Sequence, residues 1–196
     1  MPASITIIQG HPDPAGGHFC HALAAAYIEG ARDSGHEVRE ITVSGLDFSV
    51  LRTREEWMDP ATAGADITSA QEAIAEASHL VFIYPLWLGS MPALLKAFLE
   101  QVMRPGFAIG DSKEGRTWSK RLKDRSARIV ITMGMPGFFY RWYFRAHSLK
   151  SLERNILGFC GIGPVRDTLI GLVENISAAR KTRVLEKMRS LGRAAK

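Results

Sequence analysis

Three stretches of the chain hold the residues best suited to chemistry. The first is HPDPAGGHF, residues 11–19, where Gly16, Gly17, His18 and Phe19 lead into an apolar helical pattern. Free backbone N–H groups and the positive end of a helix dipole make such a start favourable for a phosphate. Two glycines let a ligand approach the backbone closely, and His11 lies within reach of the same anion. The plainer reading, a flexible turn before a helix, stands beside this one. His18 and His21 are three residues apart, but no third ligand has suitable spacing, so no metal is expected.

The second stretch is LVFIYPLWLGSMPALLKAFLEQVM, residues 80–103. Its unbroken apolar start suits a strand buried on both faces. Pro92 suits the first position of a helix whose apolar members are Leu94, Leu95, Phe98, Leu99 and Val102. The loop between them, with Trp87 and several backbone amides, could seat the apolar face of a flavin and donate N–H groups to its ring. Trp87 as a core residue is the competing reading. The third stretch, MPGFFYRWYFRAHS at 135–148, reads as a long aromatic loop. Its aromatics are too many to be core, so some meet a ligand or a second subunit. Tyr140 or Tyr143 could donate to a substrate oxygen, Arg141 or Arg145 could hold an anionic nucleotide, and His147 is a candidate proton donor.

The elements that must position these loops follow from periodicity. Strands are expected at 3–9, 36–43, about 80–85, 127–134 and 163–171. Helices are expected at 18–35, 66–78 with Asp66 as cap, 92–103, 149–161 closed by Gly161, and from 174 to the basic end. Residues 45–65 read as a long connection and 104–125 as an irregular excursion. Strands alternating with helices give a parallel sheet covered on both faces. Five such units predict an α/β, flavodoxin-like doubly wound sheet of order 2-1-3-4-5, as one domain over residues 1–196. In that order the loops after strands one, three and four share one crevice.

Composition sets the outer limits. The chain has 196 residues, 46% of them hydrophobic and 23% charged, the profile of a globular protein. No apolar run reaches the roughly 18 residues of a membrane span. The start, MPASITIIQGHPDP, has no secretory pattern, so a cytoplasmic location is expected. Cys20 and Cys160 read as buried thiols in a reducing compartment. The net charge of +5 is concentrated in 113–128 and beyond Arg180. It reads as a solvated face or as attraction for anionic nucleotides, not as a nucleic-acid surface, because exposed aromatics do not interleave it. GDSKEGRT at 110–117 imitates a phosphate-binding loop, but Arg116 stands where lysine is needed. GIGPVR at 161–166 lacks the third glycine of a dinucleotide fingerprint and leads into a strand.

HPDPAGGHF, YPLWLGSMPALLKAF with GFAIG after it, and ILGFCGIGPV together resemble the NAD(P)H:quinone oxidoreductase (DT-diaphorase-like) family of flavodoxin-fold proteins, over about residues 4–171. The resemblance implies a homodimer with the site at its interface, a bound FMN or FAD, and ping-pong, two-electron hydride transfer from NADH or NADPH to a quinone-like acceptor. By position, it implies that His11, Gly17, His18, Phe19 and Cys20 face the flavin phosphate. Pro85, Leu86, Trp87 and Leu88 would line the ribityl chain and ring, and Thr132, Met133 and Gly134 the ring's far side. Phe138, Phe139 and Arg141 are expected at the substrate, and Tyr140, Tyr143 and His147 as catalytic candidates. The family usually has Ser-Phe-Asn where this chain has His18-Phe19-Cys20. The alternatives are an electron-carrier flavodoxin, which tends to be acidic, and a regulatory subunit of a membrane transporter of the potassium-efflux type.

Overall fold

A computed structural model describes residues 2–110 and 118–196. The main sheet contains β1 (Ser4–Gln9), β2 (Glu37–Thr42), β3 (His79–Pro85), β4 (Ser126–Thr132) and β5 (Val165–Ile170). All pairings are parallel and the spatial order is β2-β1-β3-β4-β5, the expected doubly wound order. The central strands β1, β3 and β4 are buried on both faces, which is why they read as unbroken apolar runs. Strand β2 lies at an edge and buries only Ile41.

Two apolar layers cover the sheet. On one face α1 (Phe19–Asp33) and α7 (Ala178–Arg193) pack over Ile5, Ile7, Val81, Ile83 and Val130. A Cβ on Gly30 would stand 2.0 Å from the Arg189 carbonyl oxygen, and one on Gly192 would stand 2.1 Å from that of Tyr27. Their missing side chains therefore set the distance between the two helices. The opposite face is covered by α3 (Ala65–Glu76), α4 (Ala93–Val102) and a longer helical run. That run, α6, comprises His147–Lys150, the π-helical Ser151–Leu157 and Gly158–Cys160, and it ends at Gly161, whose φ is +103°.

Several expected details are corrected. The 45–65 connection contains the short helix α2 (Arg54–Met58), capped by the Thr53 hydroxyl. Gly64, not Asp66, precedes α3; the Asp66 carboxylate instead accepts the Asp47 N–H at 2.7 Å, tying the connection to the helix. Pro92 is the residue just before α4, extended at ψ 143°, so it steers the chain into the helix rather than starting it. The 135–148 segment is not a loop throughout, since Gly137–Trp142 form α5. The buried Arg104 donates to the Gln101 and Asp59 carbonyls and to the Thr62 hydroxyl, pinning residues 59–62 beside α4. The 110–117 look-alike lies outside the described residues from 111 onward.

Candidate functional site

Hydrogen bonds at the carboxyl end of the sheet join the loops after β1, β3 and β4. The Gly10 N–H donates to the Ile83 carbonyl at 2.8 Å, and the Leu86 N–H to the Thr132 carbonyl at 2.7 Å. Cys20 at the start of α1 contacts the Thr132 hydroxyl through its sulfur at 3.2 Å. The His11 ring meets Trp87 edge to face at 6.2 Å between centroids. These contacts bring the three loops together at the switch point between β1 and β3.

The first loop is shaped by an Asx turn: Asp13 Oδ1 accepts the Ala15 N–H at 2.9 Å. Gly16 and Gly17 follow at φ +73° and +76°, with no atom within 4 Å of where a Cβ would stand, so the backbone there is open to a ligand. Among the described residues, the N–H groups of Gly17, His18, Phe19 and Cys20 have no acceptor. Four donors at the positive end of a 15-residue helix form an anion cradle. Behind it, Gln9 is fully buried; its Oε1 accepts the His11 N–H at 2.6 Å while its Nε2 has no partner among the described residues.

Three imidazoles crowd this end. His11 and His18 stack with centroids 3.9 Å apart, and His21 lies 5.4 Å from His11 and 5.8 Å from His18. His18 Nε2 pairs with Asp13 Oδ2 at 2.6 Å. Burial pushes the His11 pKa down to about 4, with smaller pushes from His18 and His21 against the pull of Asp13. His11 Nδ1 lies 3.2 Å from the Asp13 N–H and accepts from it, so the neutral ring carries its proton on Nε2. Among the described residues no group of His, Cys, Asp and Glu is arranged to hold a metal. The Cys20 side chain faces the core, and burial raises its thiol to about 11. Only its backbone N–H is directed to the anion end.

In the second loop Trp87 and Ser90 exchange N–H···O bonds of 2.9 Å across a two-residue turn. Leu88 and Gly89 form that turn at φ +47° and +77°, the mirror-image geometry of a tight hairpin. The Leu86 and Trp87 amides are therefore committed, and Leu88 and Gly89 retain free N–H groups among the described residues. Trp87 is 50% exposed and Leu88 fully exposed, so neither is a core residue. Pro85 and Leu86 are half-buried beneath them. The Thr132 and Met133 side chains are buried, leaving their backbone and the exposed Gly134 along that wall; Glu174 stands beside Gly134.

The aromatic segment divides in two. The Tyr140 side chain is 1% exposed, and its hydroxyl contacts Ser148 Oγ at 2.7 Å and accepts the Leu149 N–H at 3.1 Å. It bolts α5 to α6 and leaves the catalytic candidates, because its oxygen is engaged inside the core. Tyr143 is 63% exposed, stacks on Phe139 at 5.0 Å and meets Phe144 edge to face. Phe138 and Trp142 are 76% and 77% exposed. Arg141 is ion-paired with Asp167, which holds its guanidinium over β5. His147 is exposed at the start of α6, just after Arg145 and Ala146 at φ +51° and +50°. Among the described residues no ring contact links this cluster to the His11–Trp87 pair.

Reading the sequence did not find Gln9, Asp13 or the Leu88–Gly89 turn. Asp13 carried a signal in its Asp-Pro-Ala-Gly setting, which is turn chemistry. The orphaned Gln9 amide carried none.

The pattern of the flavodoxin-like fold family matches residues 3–191. The chain belongs to that family. It is 27% identical over 184 residues to an uncharacterized NAD(P)H oxidoreductase of Haemophilus influenzae, across 92% of this chain and 89% of that one. The solved structure of an NAD(P)H:quinone oxidoreductase from Methanothermobacter marburgensis superposes with a TM-score of 0.83 at 23% identity, over 100% of both chains. A shorter similarity, 38% over 77 residues, links 39% of the chain to 39% of an Escherichia coli ancillary protein of a glutathione-regulated potassium-efflux system. The resemblance to the NAD(P)H:quinone oxidoreductase family is borne out, and with it the reading as an NAD(P)H dehydrogenase (quinone)-like enzyme. No helix among the described residues is long and apolar enough to cross a membrane.

Proposed function

We propose that this protein is a flavin-dependent NAD(P)H oxidoreductase that delivers two electrons, as hydride, to quinones or similarly flat electrophiles in ping-pong order. The observation that carries the reading is the single crevice in which unpartnered amides at the start of α1 lie beside the half-exposed Trp87 and the Leu88–Gly89 turn. Such a crevice suits a planar ring with a phosphorylated tail. We favour FMN over FAD, since the cradle offers one anion site next to the ring seat.

The residues present fit that group. Gly17, His18, Phe19 and Cys20 would hold the phosphate through their N–H groups, with the neutral His11 donating from Nε2. Pro85, Leu86, Trp87 and Leu88 would form the apolar seat, and the Leu88 and Gly89 amides would stabilise negative charge on the ring. Thr132, Met133 and Gly134 would supply backbone on the far side. When bound, a flavin supplies reversible hydride acceptance and donation between the nicotinamide and the acceptor. The protein's part is to orient both substrates over one apolar slot and to exclude water from it. Tyr143 and His147 are the candidates for proton donation to the acceptor oxygen, and Phe138 and Phe139 for its apolar contacts.

Exposed Phe138, Trp142 and Tyr143 form an aromatic surface of the kind that marks an interface. We assign it to a homodimer whose second copy completes the site. The charge of +5 favours anionic NADPH or NADH approaching by electrostatic attraction. It also argues against an acidic electron carrier.

The test mixes purified protein with NADPH or NADH and menadione, with and without added FMN. Rapid nucleotide oxidation that depends on flavin supports the enzyme. A protein that binds neither FMN nor FAD and oxidises nothing contradicts it and favours a regulatory subunit of a transporter, the reading to which the shorter potassium-efflux similarity points.

A further inference from the structure

The anion end of the crevice has more imidazole than its task needs. A helix start with four free N–H groups can hold a phosphate unaided. Here it is overlaid by His18, the residue just before α1, stacked at 3.9 Å on His11 with its ring 15° from parallel. His21, one helical turn on, completes a triangle of rings, and its buried Nδ1 has no partner among the described residues. Beneath His11 the fully buried Gln9 leaves a second donor, Nε2, unused. These unused polar atoms are independent of the helix N-terminus and indicate that the cluster is built around a ligand.

We propose that this cluster is a proton-linked phosphate clamp: as a phosphate monoester settles on the start of α1, the stacked His11–His18 pair takes up a proton from solvent, so affinity for the phosphorylated cofactor falls as pH rises. The inference rests on the flavin reading above and adds how its phosphate is held.

The charges around the pair decide the sign. In the free protein two imidazolium rings at stacking distance repel, and among the described residues the carboxylate in contact is Asp13, bonded to His18 on the solvent side. The His18 hydrogen bond holds the Asp13 carboxyl below its ordinary range. From β2, Glu40 faces His21; burial raises its pKa, while His21 and Arg32 pull it down. From α7, Lys181 stands 6.0 Å from the centre of the Phe19 ring. The loop after β3 presents Trp87, which does not titrate, and Cys20 under the cradle is a neutral thiol at neutral pH. Across the crevice Glu174 lies beside Gly134. An arriving dianion adds negative charge beside the rings, so it favours the imidazolium form.

The experiment is calorimetric titration of the flavin-free full chain with FMN, from pH 6.5 to 8.5, in two buffers of different ionisation heat. Above pH 6.5 the FMN monoester is already mostly dianionic, since such a phosphate has its second pKa near ~6, so uptake reports on the protein. By linkage, FMN affinity falls by up to about tenfold per pH unit wherever a full proton is taken up on binding. Riboflavin, which lacks the phosphate, is the control and should bind without proton uptake. The variant His18→Asn should bind FMN with a flattened pH dependence. Proton NMR of the imidazole C–H signals in the wild type, with and without inorganic phosphate, reads the same shift without a variant. Proton uptake with FMN but not riboflavin, together with a phosphate-dependent imidazole shift, supports the clamp. FMN binding with no proton uptake and unmoved imidazole signals overturns the clamp and leaves the cofactor reading standing. No flavin binding at any pH overturns both.

Discussion

Replacing Leu88 by asparagine should move stability and flavin affinity in opposite directions. Leu88 sits at φ +47°, a left-handed conformation, with its side chain fully in solvent. An L residue there carries roughly 1–2 kcal/mol of strain, and asparagine tolerates the region better. Because the leucine buries nothing in the free protein, its loss costs no packing. The variant should therefore be more stable by about 0.5–1 kcal/mol. Affinity should fall. Full burial of a leucine contributes about 1.5–3 kcal/mol, and a ring lying on one side of Leu88 covers less than half of it. A loss of about 1 kcal/mol corresponds to roughly fivefold weaker FMN binding. Urea unfolding measures the first quantity and quenching of flavin fluorescence the second. A variant that loses stability shows that Leu88 packs in the free protein. One that gains stability and binds FMN as tightly as wild type removes Leu88 from the seat.

Other substitutions test the scaffold. Tyr140→Phe should lower stability by about 1 kcal/mol through the lost contacts to Ser148 and Leu149, while leaving the rate of nucleotide oxidation unchanged; a large loss of turnover with unchanged unfolding would return Tyr140 to the site. Gly30→Ala would gain up to about 1 kcal/mol of helix propensity, but its Cβ meets Arg189 backbone at 2.0 Å. The net effect should be a destabilisation of about 1–2 kcal/mol, read as a lower urea midpoint. His79 is pushed down to about 4, first by burial and then by Arg128 and Arg166. Its folded pKa lies below its unfolded one, so the unfolded chain protonates first as pH falls. Stability is full above about pH 6.5 and falls toward pH 4, by about 2 kcal/mol at pH 5. His79→Gln should flatten that slope in urea titrations at pH 7.5 and 5, and an unchanged slope would refute the assignment.

How much of this was visible in the sequence depends on what each residue's neighbours had to say. The central strands were legible because burial on both faces leaves an unbroken apolar run, as in Leu80–Tyr84. Their order followed from strand–helix alternation, and the order brought the three loops together. The sorting of aromatics was not legible. Tyr140 and Tyr143 are three residues apart, a spacing that shares a helix face, yet the first lies inside α5 and is buried while the second follows its last residue, Trp142, and is exposed. Cys20 was placed at the phosphate by position, but its thiol points to Thr132 because the second helical residue faces the sheet. The Asp66 cap failed for a related reason: its carboxylate had a long-range use, on the Asp47 N–H, that no local pattern encodes. The stacking of His11 on His18 depends on the path of the double-glycine turn between them, which spacing alone does not fix.

The most direct test is an anaerobic spectrum of the protein carrying FMN, followed through addition of NADPH or NADH and then of menadione. The account predicts that the nucleotide bleaches the flavin's visible absorbance, and that one equivalent of quinone restores it in a separate step after excess nucleotide has been removed. A flavin that stays oxidised with either nucleotide would contradict it.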